Sequence, residues 1–163
     1  MISEKISNIL NEQINKEFYS AYLYLSMSAY FREIGLCGFA HWTKTQAKEE
    51  VGHAMTMFDY IIERGGKIVL KEIYISETKF ENPLNVFEII YEHEKLVSKS
   101  IDNIANLCDE ENDKAARIFI DKFIEEQVEE ESNACEVMSR LKLFGDDCTS
   151  LYLLDKELLQ RAE

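Results

Sequence analysis

The stretch Gln46-Ala47-Lys48-Glu49-Glu50-Val51-Gly52-His53 lies where an apolar stripe should run unbroken. Phe39, Trp42, Met57 and Ile61 bracket it at helical spacing and mark the buried face of a helix. Gln46, Glu50 and His53 fall on that same face. Glu50 and His53 stand one helical turn apart, close enough to share a metal ion.

The same interruption recurs in three other helices. In the first, from about Glu4 to Glu33, Ile6, Leu10, Ala21 and Phe31 bracket Gln13, Glu17 and Tyr24. In the third, from Asn82-Pro83 to about Asp109, the stripe is Phe87, Ile90/Tyr91, Val97, Ile101, Ile104/Ala105 and Cys108, and its gap is filled by Glu94. In the fourth, from about Asp113 to Phe144, Ala116, Phe119, Phe123, Ala134, Val137, Leu141 and Phe144 bracket Gln127 and Glu130. The second helix runs from about Cys37 to Arg64, and a short fifth runs from about Cys148 to Gln160.

The stops support these bounds. Gly35, Gly65-Gly66 and Gly145 follow three of the helices, and Asn82 with Pro83 supplies a polar cap and a proline at the first helical position. Short joins make the first two helices antiparallel neighbours, and likewise the third and fourth. The second and third are separated by about 18 residues, Gly65 to Asn82. Extended at ~3.3 Å per residue, that connector reaches ~60 Å. A helix of about 28 residues is only ~42 Å long, so the third helix can start parallel to the second. Lys67 to Ile75 alternates like a strand but has no clear partner strand, and an extended crossover is preferred. The fold expected is all-α: a four-helix bundle with a long crossover between helices 2 and 3 and a short C-terminal fifth helix, with residues 1–163 as one domain.

The level of the acids follows from the same hairpins. Positions 17 and 53 are equidistant from Gly35 in the first turn, and positions 94 and 130 from Asn112 in the second. The acids of all four helices therefore meet at one height. Four carboxylates in a dry core cannot all stay ionised unaided, because burying even one unpaired charge costs several kcal/mol. Protonation relieves this, and two divalent cations match the charge. Oxygen donors with one imidazole and no thiolate suit Fe(II), leave Mn(II) and Zn(II) open, and disfavour Cu(I).

Composition narrows the function classes. The 163 residues carry a net charge of −13, with one proline and six glycines. Such a surface repels nucleic acid and anionic lipid, so neither is expected as a partner. Cys37, Cys108, Cys135 and Cys148 are scattered with no C-x-x-C pair, which argues against a disulfide framework or zinc ribbon and for a reducing, cytoplasmic setting. The N-terminus is amphipathic and is not a secretory signal. Phe18 to Phe31 is too short and too serine-rich to span a membrane. It is nonetheless apolar around most of its circumference (Tyr19, Tyr22, Leu23, Leu25, Met27), which points to a subunit interface or to a thick core under the crossover. The acids Asp109, Glu110, Glu111 and Asp113 of the second turn are read as solvated, with an ion-channel lining as the alternative.

The chain resembles the bacterial non-haem ferritins over nearly its whole length. The resemblance is carried by Leu10-Asn-Glu-Gln-Ile-Asn-Lys-Glu17, Gln46 to His53, Tyr91-Glu-His-Glu94, Glu126-Gln-Val-Glu-Glu130 and Leu151-Tyr-Leu-Leu-Asp-Lys-Glu-Leu158. It implies a ferritin-like fold and a di-iron ferroxidase centre. Glu17, Glu50 and His53 would hold the first iron. Glu94 and Glu130 would hold the second, with Glu50 bridging. Gln127 would face the centre as an amide, and Tyr24 would stand beside it. Tyr24 reads equally as core filler with a bonded hydroxyl. A third iron site is implied at Glu49, Glu126 and Glu129, sharing Glu130. Against it, Glu125 to Glu131 reads as a solvated charge run. For it, Glu126 and Glu130 are like charges at i and i+4 that repel without a cation.

The implied partners are Fe(II), dioxygen or hydrogen peroxide, and further copies of the chain in a hollow 24-mer cage holding ferric mineral. Two departures separate this chain from neighbouring types. Gln127-x-x-Glu130 stands where a symmetric di-iron bundle has a second Glu-x-x-His, and Gly52 stands where a haem-ligating methionine is expected, so no haem is implied. A rubrerythrin-like peroxidase would show that second histidine and usually a cysteine pair. A DNA-protecting mini-ferritin would show a basic tail.

Overall fold

Two helical hairpins lie side by side, and a fifth helix seals one end. The computed structural model describes residues 1–75, 79–145 and 147–161. The helices are α1 (Glu4–Glu33), α2 (Cys37–Glu63), α3 (Pro83–Glu110), α4 (Lys114–Phe144) and α5 (Cys148–Leu158). This is the expected all-α four-helix bundle, with α5 ending two residues earlier than its periodicity predicts.

Local chemistry sets the ends. Ser3, Asn82, Asp113 and Asp147 accept backbone N–H groups in the first turns of α1, α3, α4 and α5. Each such cap is worth about 1 kcal/mol. The α1/α2 turn depends on Gly35, whose φ of 81° lets Leu36 N–H donate back to Phe31 O at 2.9 Å. Asn112 takes the left-handed conformation in the α3/α4 turn, at φ 54°.

α2 begins at Leu36, which offers no side-chain cap. The missing acceptor comes from α5: Asp155 Oδ1 receives Gly38 N–H at 2.7 Å and Phe39 N–H at 3.1 Å. The approach is so close that a Cβ on Gly38 would lie 1.6 Å from Asp155 O. This contact pins α5 across the start of α2.

The crossover runs along α1, as its length allows. Asn11 donates to Lys67 O at 2.8 Å and accepts from Val69 N–H at 2.7 Å, and Asn15 accepts from Lys71 N–H. Further on, Phe80 packs on Tyr30 with ring centroids 5.4 Å apart. α3 therefore starts beside the C-terminal end of α1 and runs parallel to α2. Residues 67–75 form no strand, and 76–78 of the crossover lie outside the described residues. No disulfide joins the four cysteines, and no described helix is long and apolar enough to cross a membrane.

The core has two parts. One is rich in aromatics and includes Tyr24, Phe31, Phe39, Trp42, Phe87, Leu141 and Leu154. The other is mostly aliphatic and includes Ile6, Leu10, Ile14, Met57, Ile61, Ile101, Ile104 and Phe123. On every main helix the break between them falls at the interrupted stripe: Glu17, Glu50 to His53, Glu94, and Gln127 to Glu130. Leu23 and Met27 enter the aromatic core, whereas Tyr22 and Leu25 face outward at 60% and 46% exposure.

Candidate metal centre

Glu17, Glu50, Glu94 and Gln127 are buried, and Glu130 and His53 are half-buried at the rim. Each sits mid-helix on the face its stripe predicts, so helix periodicity alone aims it inward. Glu17, Glu50 and His53 offer ligand atoms that all lie within 4.8 Å of one another. His53 Nδ1 is 3.9 Å from Glu17 Oε2 and 3.5 Å from Glu50 Oε2. Phe123 meets the imidazole edge to face at 5.6 Å.

Glu94 and Glu130 reach the centre from the other hairpin, but protein donors hold them. Tyr24 donates to Glu94 Oε1, and Gln127 Nε2 donates to Glu94 Oε2 at 3.1 Å. Gln46 Nε2 donates to Glu130 Oε2 at 2.8 Å. Gln13 Nε2 donates to Glu17 Oε1 at 2.7 Å, and its own carbonyl accepts from Ser100. Gln13 and Gln46 stood out in the sequence only as polar residues inside apolar stripes. Their place is to orient the acids from one helical turn or one helix away.

The electrostatics match a site short of cations. Burial, then repulsion from Glu50, lifts the Glu17 carboxyl well above its ordinary range. Burial pushes Glu50 up to about 8, with Glu94, Glu130 and Glu49 adding to the rise. Burial and then Glu94 raise Glu130 to about 7. Tyr24 is lifted well above 10, first by burial and next by Glu94, so its phenol keeps its proton and donates.

A metal fits on independent geometric grounds. Glu17 Oε2 and Gln46 Oε1 are buried acceptors with no hydrogen-bond partner. A buried acceptor left so costs about 1–3 kcal/mol. Glu17 Oε2 opens toward Glu50 and His53, where an ion would satisfy it.

The third predicted cluster is arranged differently. Glu126 Oε2 lies 3.4 Å from His53 Nε2, on the far side of the ring from Glu17 and Glu50. Glu49 Oε2 accepts from Arg161 Nη2 at 2.8 Å. Glu129 is exposed on α4. Arg161 gave no signal in the sequence, because it lies beyond the last helix and belongs to no periodic pattern.

A family model described as a ferritin-like domain matches residues 7–144. The chain belongs to the ferritin family. A bacterial non-heme ferritin from Bacteroides fragilis is 47% identical over 161 residues, covering 99% of this chain and all of its own. A non-heme ferritin-like protein from Haemophilus influenzae is 37% identical, covering 97% of this chain and 96% of its own. Among solved structures, an open-pore ferritin from the hyperthermophilic archaeon Archaeoglobus fulgidus superposes with a TM-score of 0.97 at 46% identity, covering 99% of this chain and all of that one. These ferritins match the chain across its length, so the interrupted stripes sit within the ferritin fold.

Proposed function

We propose that the chain is an iron-storage ferritin subunit that oxidises Fe(II) at an intra-subunit di-iron centre. The observation that carries this reading is the converging trio Glu17, Glu50 and His53, with its unsatisfied buried oxygen, inside a ferritin fold. Two Fe(II) ions enter as substrate, one held by Glu17, Glu50 and His53, the other by Glu94, Glu130 and the shared Glu50. The iron supplies the electrons that reduce dioxygen or hydrogen peroxide.

The protein's part is charge balance, positioning and proton handling. Protons held on Glu17, Glu50 and Glu130 leave as the cations bind. Glu126 faces His53 Nε2 and fixes the ring so that Nδ1 points at the ion. Tyr24 and Gln127 hold Glu94 in reach of the second ion. Glu49, Glu126 and Glu129, with Glu130, form a third, outer iron site on the path away from the pair. The ferric product passes to the cavity of a 24-subunit cage and mineralises as hydrated ferric oxide. The outward Tyr22 and Leu25 belong to the contact between subunits. The whole chain acts as a single domain, without haem, in the cytoplasm.

The test is anaerobic Fe(II) loading followed by air, on wild type and Glu50→Ala, with particle size measured. Wild type should oxidise iron faster than buffer and retain mineral in a large particle, and Glu50→Ala should not. If wild type does neither, the storage reading fails. If Glu50→Ala matches wild type, the ligand assignment fails.

A further inference from the structure

The last described residue reaches back to the acidic centre. Asp155 seats α5 on the first turn of α2, and the chain leaving α5 then lies alongside that helix. His41 Nε2 meets Arg161 O at 2.8 Å, which fixes the backbone there. The Arg161 guanidinium stacks 4.7 Å from the Trp42 ring centroid, and its Nη2 donates to Glu49 Oε2 at 2.8 Å. Its Nη1 is buried with no hydrogen-bond partner. The side chain is only 21% exposed, so this cation is held in a made seat. Stacking on tryptophan and a charge-assisted hydrogen bond both favour a fixed guanidinium.

We infer that Arg161 is a built-in counter-ion for the outer acids, a positioning residue that occupies Glu49 until a metal ion displaces it. This rests on the reading of Glu49, Glu126 and Glu129 as a third iron site, and deepens it. An ion binding Glu49 must break the Arg161 pair, so the outer site binds more weakly than its acids alone would allow. Among the described residues, no arginine or lysine pairs with the inner trio Glu17, Glu50 and His53. Iron would then fill the inner positions first and rest only briefly at the outer one on its way to storage. The device links metal occupancy to the seating of the C-terminal segment, because releasing Glu49 frees the guanidinium from one of its two partners.

The experiment is titration calorimetry of Zn(II) into the assembled, iron-free protein, comparing wild type, Arg161→Gln, Arg161→Lys and Glu49→Gln/Arg161→Gln. Arg161→Gln should bind the third ion per chain about tenfold more tightly than wild type, with the first ion, at Glu17, Glu50 and His53, unchanged. Arg161→Lys, which keeps the charge, should stay near wild type. The double variant should lose the gain. If wild type and Arg161→Gln bind three ions with equal affinity, the outer site stands and the role of Arg161 is wrong. The same holds if Arg161→Gln binds the third ion more weakly. If both bind only two, the outer-site reading fails and this inference falls with it. A purely structural arginine would lower the melting temperature of the variant without changing the third binding constant.

Discussion

On the α1/α2 side of the centre, Glu17, Glu50 and His53 converge within 4.8 Å and leave one carboxylate oxygen buried and unsatisfied. On the α3/α4 side, Glu94 and Glu130 are already met by Tyr24, Gln127 and Gln46. A cation entering the first half relieves an existing deficit. A cation entering the second half replaces hydrogen bonds the protein has already made. In the proposed centre the halves should therefore differ in affinity, although both present carboxylates at the same level of the bundle. The half held by the protein's own donors is the one with no histidine.

In the proposed centre Glu50 serves both halves, so its removal should erase the difference between them. Glu50→Ala is expected to slow iron oxidation about 100-fold or more, to near the rate in buffer, followed by stopped-flow absorbance of the ferric product. A smaller loss would mean that one half works alone.

The next effect is on stability and pH. Glu50 and Glu130 are raised to about 8 and about 7 from an ordinary 4.5, and Glu17 is raised as well. A carboxyl raised by folding favours its neutral form. Its contribution to stability is complete below about pH 4.5 and is lost as pH rises through 7 to 8. Iron-free protein should thus melt at a lower temperature at pH 9 than at pH 6, and Glu50→Gln should flatten that slope. Zn(II) should stabilise the protein more at pH 8 than at pH 6, because at pH 6 it must first displace protons. Scanning calorimetry across pH reads all three, and a melting temperature that climbs from pH 6 to pH 9 without metal would contradict the assignment of cause.

Much of this centre was legible in the sequence because helices are periodic. An acid in an apolar stripe has a known direction, and Gly35 and Asn112 locate the hairpin midpoints that bring positions 17 and 53, and 94 and 130, to one height. The cap at Asn82-Pro83 and the path of the crossover were equally readable, since they depend on local chemistry and length. What was not legible depends on contacts between segments far apart in the chain. The acceptors Asn11 and Asn15 that guide the crossover look like ordinary surface residues of α1. Asp155 capping α2 and Arg161 closing on Glu49 join positions more than 100 residues apart, and no periodicity connects them. Glu126 reads in sequence as one member of a charge run or, by resemblance, as a third-site ligand, and only the fold turns it toward His53.

The two smaller predictions sharpen the contrast between the halves. Gln127→Glu exchanges a donor to Glu94 for another carboxylate. It should tighten the second ion about tenfold, or ~1.4 kcal/mol, while leaving the first unchanged in anaerobic Fe(II) calorimetry. Tyr24→Phe removes one hydrogen bond to Glu94. It should cost the metal-free protein ~1–2 kcal/mol in denaturant unfolding and have less effect once metal is bound. If metal-free and metal-bound proteins lose the same amount, Tyr24 is core filler rather than a partner the metal competes with.

The most direct test is a crystal soaked anaerobically with Fe(II) at rising concentration, with anomalous scattering recorded at the iron edge. Two peaks should flank the Glu50 carboxylate, and the one beside Glu17 and His53 should fill first while the one beside Glu94 and Glu130 lags. A single peak, equal filling at every concentration, or iron bound away from Glu50 would contradict an asymmetric pair joined by that residue.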